Sequence, residues 1–493
     1  MAFAVDYLEG WDSVDFALAL DHYSLSEQQP HFPGYPVYIW IARTLRPLFT
    51  GEASALAATS ALFGGLALLP FFGLARTLFG PSEAIAATLF FLFTPLQFLA
   101  GTKALSDATG LFFLLTFLWL ALCAQREAER PGGWVFAGLA GSALALTLGV
   151  RLSYTPFVLT GAFLLVPWLR ASRSSSERLC RVVVPLAAFT LSAASWLWWQ
   201  MAQEGVRGFW TEALRFTEGH FGEWGGTVVT NPDIGGRLAE LFRGLFVHGL
   251  GFWEPGSESW RWLATLTVGG VVLAGFLSIH TASRSKVFFL ASWLIPYGVW
   301  VLLAQNPGKP RHLLPLVPLF LMCGSVGARR LAAAVCNLFP GLEGYTKPIG
   351  MIFVGLATLG PALTSIQLAR VHKAEPAPAL QMVQYIRERF GPGEVMVFLG
   401  EEKRLFDYYA PAFFVERLRS AADAEAALAV HQPLPQAVFF TSGIHGLDGT
   451  ASSTPKNLQL VRVFSRNPYV HPAYSRVALY RLHPQLEEGH SKP

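Results

Sequence analysis

The chain has 493 residues, of which 52% are hydrophobic and only 14% charged. With its 46 glycines the apolar share reaches about 60%, above the ~45–50% usual for soluble domains. This composition excludes a cytosolic enzyme and a disordered chain, and a scattered net charge of +4 offers no nucleic-acid-binding surface.

What remains is a polytopic membrane protein. The segment Met1 to Gly10 has no basic n-region and no adequate apolar h-region, so no signal peptide is expected there. Ten apolar stretches of spanning length follow: 54–75, 82–100, 107–125, 133–150, 153–169, 180–200, 261–279, 287–304, 312–328 and 346–368. Several contain proline, which a membrane bundle tolerates. Short loops on one side carry Arg76, Arg126, Arg130, Arg170, Arg173, Arg178, Arg181, Arg284, Lys286, Arg329 and Arg330. Those on the other side carry only Lys103, Arg151, Lys309 and Arg311. The positive-inside bias puts the first set in the cytoplasm. Residues 1–50, the 201–260 loop and everything after 370 are then outside. An outward N-terminus without a signal leaves two options: a spanning helix upstream of this start, or a first hairpin that inserts unaided.

The 237–252 stretch is apolar but holds Arg243 and His248. As a span it would invert the later basic bias, so it reads as an interfacial or re-entrant helix. The four cysteines, Cys123, Cys180, Cys323 and Cys336, match no zinc or redox spacing, and none falls outside. Tryptophans 196, 198 and 199 read as an aromatic belt. After the Pro-rich linker Glu375-Pro376-Ala377-Pro378 the character changes. Residues 395–399, 437–441, 460–464 and 477–482 read as strands, with amphipathic helices at 379–390 and 421–430. The predicted fold is a mostly α polytopic bundle of ten or eleven spanning helices over 1–370, followed by a small soluble α/β domain over 375–493. In that domain His445, Asp448 and His471 are scattered and form no catalytic set.

The first outer segment carries the most chemistry. It reads Gly10-Trp11-Asp12-Ser13-Val14-Asp15-Phe16, then Pro30-His31-Phe32-Pro33-Gly34-Tyr35-Pro36-Val37-Tyr38. Acids three apart on a helix share a face, and a carboxylate beside a membrane is costly unless paired or used. A solvated helix with a capping aspartate is the bland alternative. The pattern resembles the C-type (GT-C) membrane glycosyltransferases, in particular the protein O-mannosyltransferase-like branch and, more loosely, glycosyltransferase family 39. That signature is Asp-x-Gly-Glu followed by His-Pro-Pro-Gly-Tyr-Pro-x-Tyr. Here Val14 stands for the glycine, Asp15 for the glutamate and Phe32 for the first proline of the pair.

The resemblance implies an enzyme that moves a sugar from a polyprenyl-phosphate carrier to an acceptor at the outer face of a bacterial inner membrane, with inversion. It places a general base at Asp12, with Asp15 as second candidate. Asp107, in the second outer loop, resembles a further acid of the family. Ser106 or Asp107 capping the helix is the plain alternative. A phosphate leaving group needs cations, and the outer side offers Lys103, Arg151, Lys309, Arg311 and His312. The run 306–315 resembles the family's Pro-Arg-Tyr-Leu-Leu-Pro stretch. Arg311 fits a bidentate phosphate contact, or snorkels to the interface. Arg151 with Tyr154 is a similar case, and His31 and Tyr35 line the bend into the bundle. His220 and Trp224, in the loop 218–227, resemble a His…Trp-Gly element that contacts sugar; an interfacial tryptophan anchor is the alternative.

No metal-ligand spacing and no Gly-rich phosphate loop occurs, so no cofactor is expected beyond the lipid-linked sugar itself. A divalent ion on Asp12 and Asp15 is conceivable and not favoured. The acceptor class (protein, lipid or polysaccharide) is left open. A transporter or lipid flippase would concentrate ionisable residues at mid-membrane, whereas here they gather at one face. A non-catalytic scaffold would tolerate the loss of Asp12.

Overall fold

A computed structural model describes residues 2–447 and 457–483; Asp448 lies outside them. By compactness the chain divides into two units. One comprises Met1–Val5 with Phe16–Arg370, the other Asp6–Asp15 with Val371–Pro493. Asp6–Asp15 thus pack with the second unit rather than the first.

The first unit is helical. Eight helical stretches among the described residues are long and apolar enough to cross a membrane: Glu52–Phe79, Asp107–Arg126, Pro131–Val150, Ser175–Trp224, Arg261–Ser278, Arg284–Ala304, Pro310–Leu338 and Thr346–Arg389. Pro81–Leu92 and Phe157–Arg170 are shorter apolar helices. The chain is an integral membrane protein, and each of the ten predicted spans corresponds to one of these helices. Two are shorter than predicted because proline interrupts them. The 82–100 stretch stops at Leu92 and restarts at Pro95, with Thr94 held extended before it. The 153–169 stretch opens as a 3₁₀ turn, Leu152–Tyr154, and becomes α-helical only at Phe157, after Pro156.

The 201–260 region is less of a loop than predicted. The helix from Ser175 continues to Gly219, with a single break at Gly205 (φ 71°). A π turn, His220–Trp224, extends it. The predicted 237–252 segment is a short helix, Ile234–Phe242, followed by a π turn, Arg243–Gly249. The buried Arg237 guanidinium donates to the carbonyls of Gly226, Leu302 and Gln305 at 2.7 Å each, closing the end of the 284–304 helix.

The bundle core is packed by Phe71, Phe91, Leu111, Leu114, Leu118, Trp293 and Tyr297 among others. Helices 261–278 and 317–338 meet backbone to backbone. A Cβ on Gly275 would lie 1.9 Å from the Cys323 carbonyl oxygen, and one on Gly327 would lie 1.8 Å from that of Val271. Such small-residue contacts drive helix association where no hydrophobic gain separates protein from lipid. Large apolar side chains such as Leu139, Leu191, Leu266 and Met351 are at least half exposed, as a lipid-facing surface requires. Of the three belt tryptophans only Trp198 is exposed; Trp196 is buried, its indole N–H on the Ala145 carbonyl at 3.2 Å.

The second unit holds a five-stranded sheet: β1 (Val395–Leu399), β2 (Phe414–Arg417), β3 (Ala437–Thr441), β4 (Leu458–Ser465) and β5 (Arg476–Leu482), ordered β2-β1-β3-β5-β4. β1 pairs in parallel with β2 and β3, while β5 runs antiparallel to β3 and β4. β1 and β3 are buried at all positions, the pattern of parallel strands covered on both faces. Helices Pro378–Arg389, Lys403–Tyr409 and Ala424–Val430 accompany them. Sequence periodicity finds four of the strands. It misses β2 and the helix before it, which span only four and seven residues.

Candidate active site

Asp12 and Asp15 both lie on the helix Trp11–Asp21. Ser13 organises its start: its Oγ accepts from the N–H groups of Glu9 and Gly10 at 3.1 Å and donates to the Gly10 carbonyl at 2.8 Å. Asp12 is half-buried. Asp15 is fully buried, and its Oδ1 accepts from Arg404 Nε at 2.7 Å. The two candidate bases thus differ in burial. Asp15 is committed to a guanidinium within its own unit, while Asp12 keeps partial access to solvent.

A second cluster lies within the helical unit. Asp107 opens the Asp107–Arg126 helix, yet neither it nor Ser106 caps that helix end by its side chain. Both turn to Arg151 instead. Arg151 Nη1 lies 2.8 Å from Asp107 Oδ1 and donates to Ser106 Oγ at 3.2 Å. The Asp107 and Arg151 side chains are only 3% and 8% exposed. Gly110, one turn along, makes this possible, since a Cβ there would lie 3.0 Å from Arg151 Cδ. Burial works against the Arg151 charge, but the Asp107 carboxylate beside it helps to hold its pKa above the ordinary arginine range; Arg311 pulls the other way. Burial pushes the Tyr154 phenol upward, so it stays a neutral donor. Among the described residues, Asp107 Oδ2, Arg151 Nε and the Tyr154 hydroxyl are buried without a hydrogen-bond partner. Buried polar atoms are rarely left so, and three around one ion pair mark a place for a polar ligand or water.

The 306–315 run adds the remaining cations. Pro310–Leu316 is a 3₁₀ segment, because Pro307, Pro310 and Pro315 deny it a regular helix. Asn306 holds the turn: its carbonyl meets His312 Nδ1 at 3.1 Å and its Oδ1 accepts from Gly308 N–H at 2.9 Å. The Tyr297 hydroxyl donates to the His312 carbonyl at 2.8 Å. The charges of Arg311, Arg151 and Lys309 all act on the His312 ring, so four of the five predicted cations share one electrostatic neighbourhood. Lys103, in the turn before Asp107, is buried.

The aromatic residues form a stack. Phe216 lies between His31 (5.8 Å, 13°) and His220 (6.1 Å, 9°), with Trp224 edge-on at 4.8 Å. His31 Nε2 meets the Tyr35 hydroxyl at 3.1 Å. Tyr35 has a left-handed backbone (φ 46°) and leads directly into Pro36, the first residue of the next helix. Gln200 ties this bend to the long helix, donating to Tyr23 Oη at 2.7 Å and to the Pro33 carbonyl at 2.8 Å. His220 Nε2 is spent on the Ala304 carbonyl at 2.9 Å. His220 and Trp224 are therefore helix-end residues joined to His31 through Phe216, not members of a free loop.

Residues 29–199 match the family model described as dolichyl-phosphate-mannose-protein mannosyltransferase. No curated protein matches the chain in sequence. Among solved structures, ArnT from Cupriavidus metallidurans in the apo state matches with a TM-score of 0.52 and 14% identity, covering 98% of this chain and 96% of that one. The same enzyme bound to undecaprenyl phosphate gives 0.56 and 13%, covering 97% and 96%. The Archaeoglobus fulgidus oligosaccharyltransferase AglB, in complex with an inhibitory peptide and a dolichol-phosphate, gives 0.50 and 12%, covering 99% of this chain and 72% of that one. The chain has the GT-C glycosyltransferase fold.

Within this GT-C fold the predicted residues other than Lys103 fall into three groups. Arg151, Tyr154, Asp107, Tyr35, Lys309, Arg311 and His312 are linked by contact or by charge. His31, His220 and Trp224 form the aromatic stack. Asp12 and Asp15 stand on the first helix in the second unit. Among the described residues no group of three or more His, Cys, Asp or Glu side chains is arranged to hold a metal ion. Residue-by-residue reasoning missed Arg404, 389 positions from Asp15. It also missed the buried set Glu9, His372 and Arg466, in which Glu9 Oε2 meets His372 Nε2 and Arg466 Nη2 at 3.1 Å each. Glu9, adjacent to the acidic motif, was the available signal; nothing local marks its partners.

Proposed function

We propose that this protein is a membrane glycosyltransferase that moves a sugar from a polyprenyl-phosphate carrier to an acceptor hydroxyl. The observation that carries the reading is the buried Asp107–Arg151 pair amid Lys309, Arg311 and His312, with polar atoms left over for a ligand. Arg151 and Arg311 hold the donor phosphate, with Lys309 adding charge and the His312 ring a polar contact. Asp107 balances Arg151 when no donor is bound. Asp12 takes the proton from the acceptor hydroxyl as its oxygen attacks the anomeric carbon. The bond from that carbon to the phosphate oxygen breaks, and its electron pair leaves with the lipid phosphate. A single displacement inverts the anomeric centre. A placed base contributes about 10²–10⁴-fold, and pre-set cations stabilise the departing charge. No metal ion is assigned a role. The lysine and arginine asymmetry of the loops supports an outer-face reaction at a bacterial inner membrane, with the α/β domain outside.

The test is a panel of polyprenyl-phosphate sugars offered to the purified protein with a crude membrane acceptor fraction, beside Asp12→Asn. Donor consumption and transfer that vanish in Asp12→Asn support the reading. Transfer that survives the substitution removes Asp12 as base. Absence of donor binding and turnover with every sugar overturns the transferase in favour of a transporter or scaffold.

A further inference from the structure

The residues flanking Asp12 are fastened on both sides by the segment that begins at Val371, all within the second unit. Leu8 N–H donates to the Tyr409 hydroxyl at 2.8 Å. Glu9 is held by His372 and Arg466. The Trp11 ring lies against the guanidinium groups of Arg417 and Arg404, at 5.2 and 5.9 Å. Asp15 is gripped by Arg404, whose side chain is 14% exposed while that of Asp15 is 0%. Arg404 and Tyr409 stand on one short helix, Lys403–Tyr409.

A fully buried carboxylate must keep its cation, so the Asp15–Arg404 pair fixes the rotation of the first helix. Asp12 and Asp15, three residues apart, share a face of that helix. Any rotation that frees Asp15 from Arg404 therefore swings Asp12 by a similar amount. Misplacing a reacting group by about 1 Å costs about 10²-fold in rate.

We infer that Arg404 is a positioning residue for Asp12: the α/β domain sets the geometry of the transfer base by holding Asp15, and so belongs to the catalytic apparatus. This inference rests on the role proposed for Asp12. It is tested in the full-length protein with Arg404→Gln, Arg404→Lys and the double variant Asp15→Asn/Arg404→Gln. Arg404→Gln is expected to lower kcat by roughly 10- to 100-fold, with the KM for the lipid donor within about twofold of wild type. Arg404→Lys, which keeps the charge, restores most of the loss. The double variant is no slower than Arg404→Gln, because the two side chains act as one unit. Amide hydrogen exchange rises over residues 7–15 in Arg404→Gln and stays unchanged over 107–126. Wild-type kcat in Arg404→Gln overturns the inference. So does unchanged exchange over 7–15, or a rate loss that only follows the loss of folded protein. If Asp12→Asn retains turnover, the proposed function fails, while exchange over 7–15 still reports whether Arg404 holds the segment.

Discussion

Replacing Arg151 by glutamine probes the candidate site most directly. Asp107 and Arg151 are almost wholly buried, and their charged atoms lie 2.8 Å apart. Removing one partner leaves an uncompensated charge, which costs about 3–5 kcal/mol in a buried setting. The loss falls on the junction of the 107–126 and 131–150 helices, so a lower melting temperature in detergent is expected. A charge-assisted contact to the donor phosphate is worth about 1.5–3 kcal/mol, which is about 10- to 150-fold in kcat/KM at 1.36 kcal/mol per decade. The double variant Asp107→Asn/Arg151→Gln removes both charges together. It should melt above the value obtained by adding the two single losses, by a coupling of about 0.5–3 kcal/mol. Melting curves and donor turnover for the four proteins complete the cycle. Strictly additive melting losses together with unchanged kcat/KM in Arg151→Gln would refute both the pairing and the phosphate role.

Gly275→Val should fail to assemble or melt well below wild type, at a cost of at least about 1–3 kcal/mol, because its Cβ position is 1.9 Å from the Cys323 carbonyl oxygen; folded yield by size-exclusion chromatography reads this. Phe216→Ala removes four ring contacts, about 0.5–1.5 kcal/mol each, and proteolysis of the 28–36 bend should accelerate. In the α/β domain, burial pushes the Glu402 carboxyl above its ordinary 4.5, although Gly400 N–H and the Thr441 hydroxyl donate to it. The folded domain then keeps a proton that the unfolded chain releases. Its contribution is full below the ordinary value and is lost as pH rises through the raised one. Glu402→Gln should flatten the melting profile over that window, and an unchanged slope would place the titration elsewhere.

The bundle and most of the sheet are legible in the sequence because their signals are local. Span length and charge bias need only a window of residues, and β1 and β3 are unbroken apolar runs. The shorter β2, on a sheet edge, carries no such run. The helical character of 201–219 is hidden because charged and apolar residues alternate there without a clean stripe. For the site, chemistry by residue type picks out Arg151, Lys309, Arg311 and His312, which the fold brings into one neighbourhood. It also leaves Asp12 and Asp15 equivalent, since spacing alone cannot show that Asp15 is sealed against Arg404 while Asp12 is only half-buried. The Asp107 carboxylate looks like a cap in sequence, and only the approach of Arg151 past Gly110 gives it a different partner.

Packing Asp6–Asp15 with Val371 and beyond also sets a timetable for the nascent chain. At about 5–20 residues per second, synthesis takes on the order of 20–70 s to travel from Asp15 to Val371. During that interval Glu9 and Asp15 have been made and their arginines have not. The acidic segment must wait, unclamped, until the last quarter of the protein emerges. A chain released early can complete its membrane helices but not the seat of its first helix.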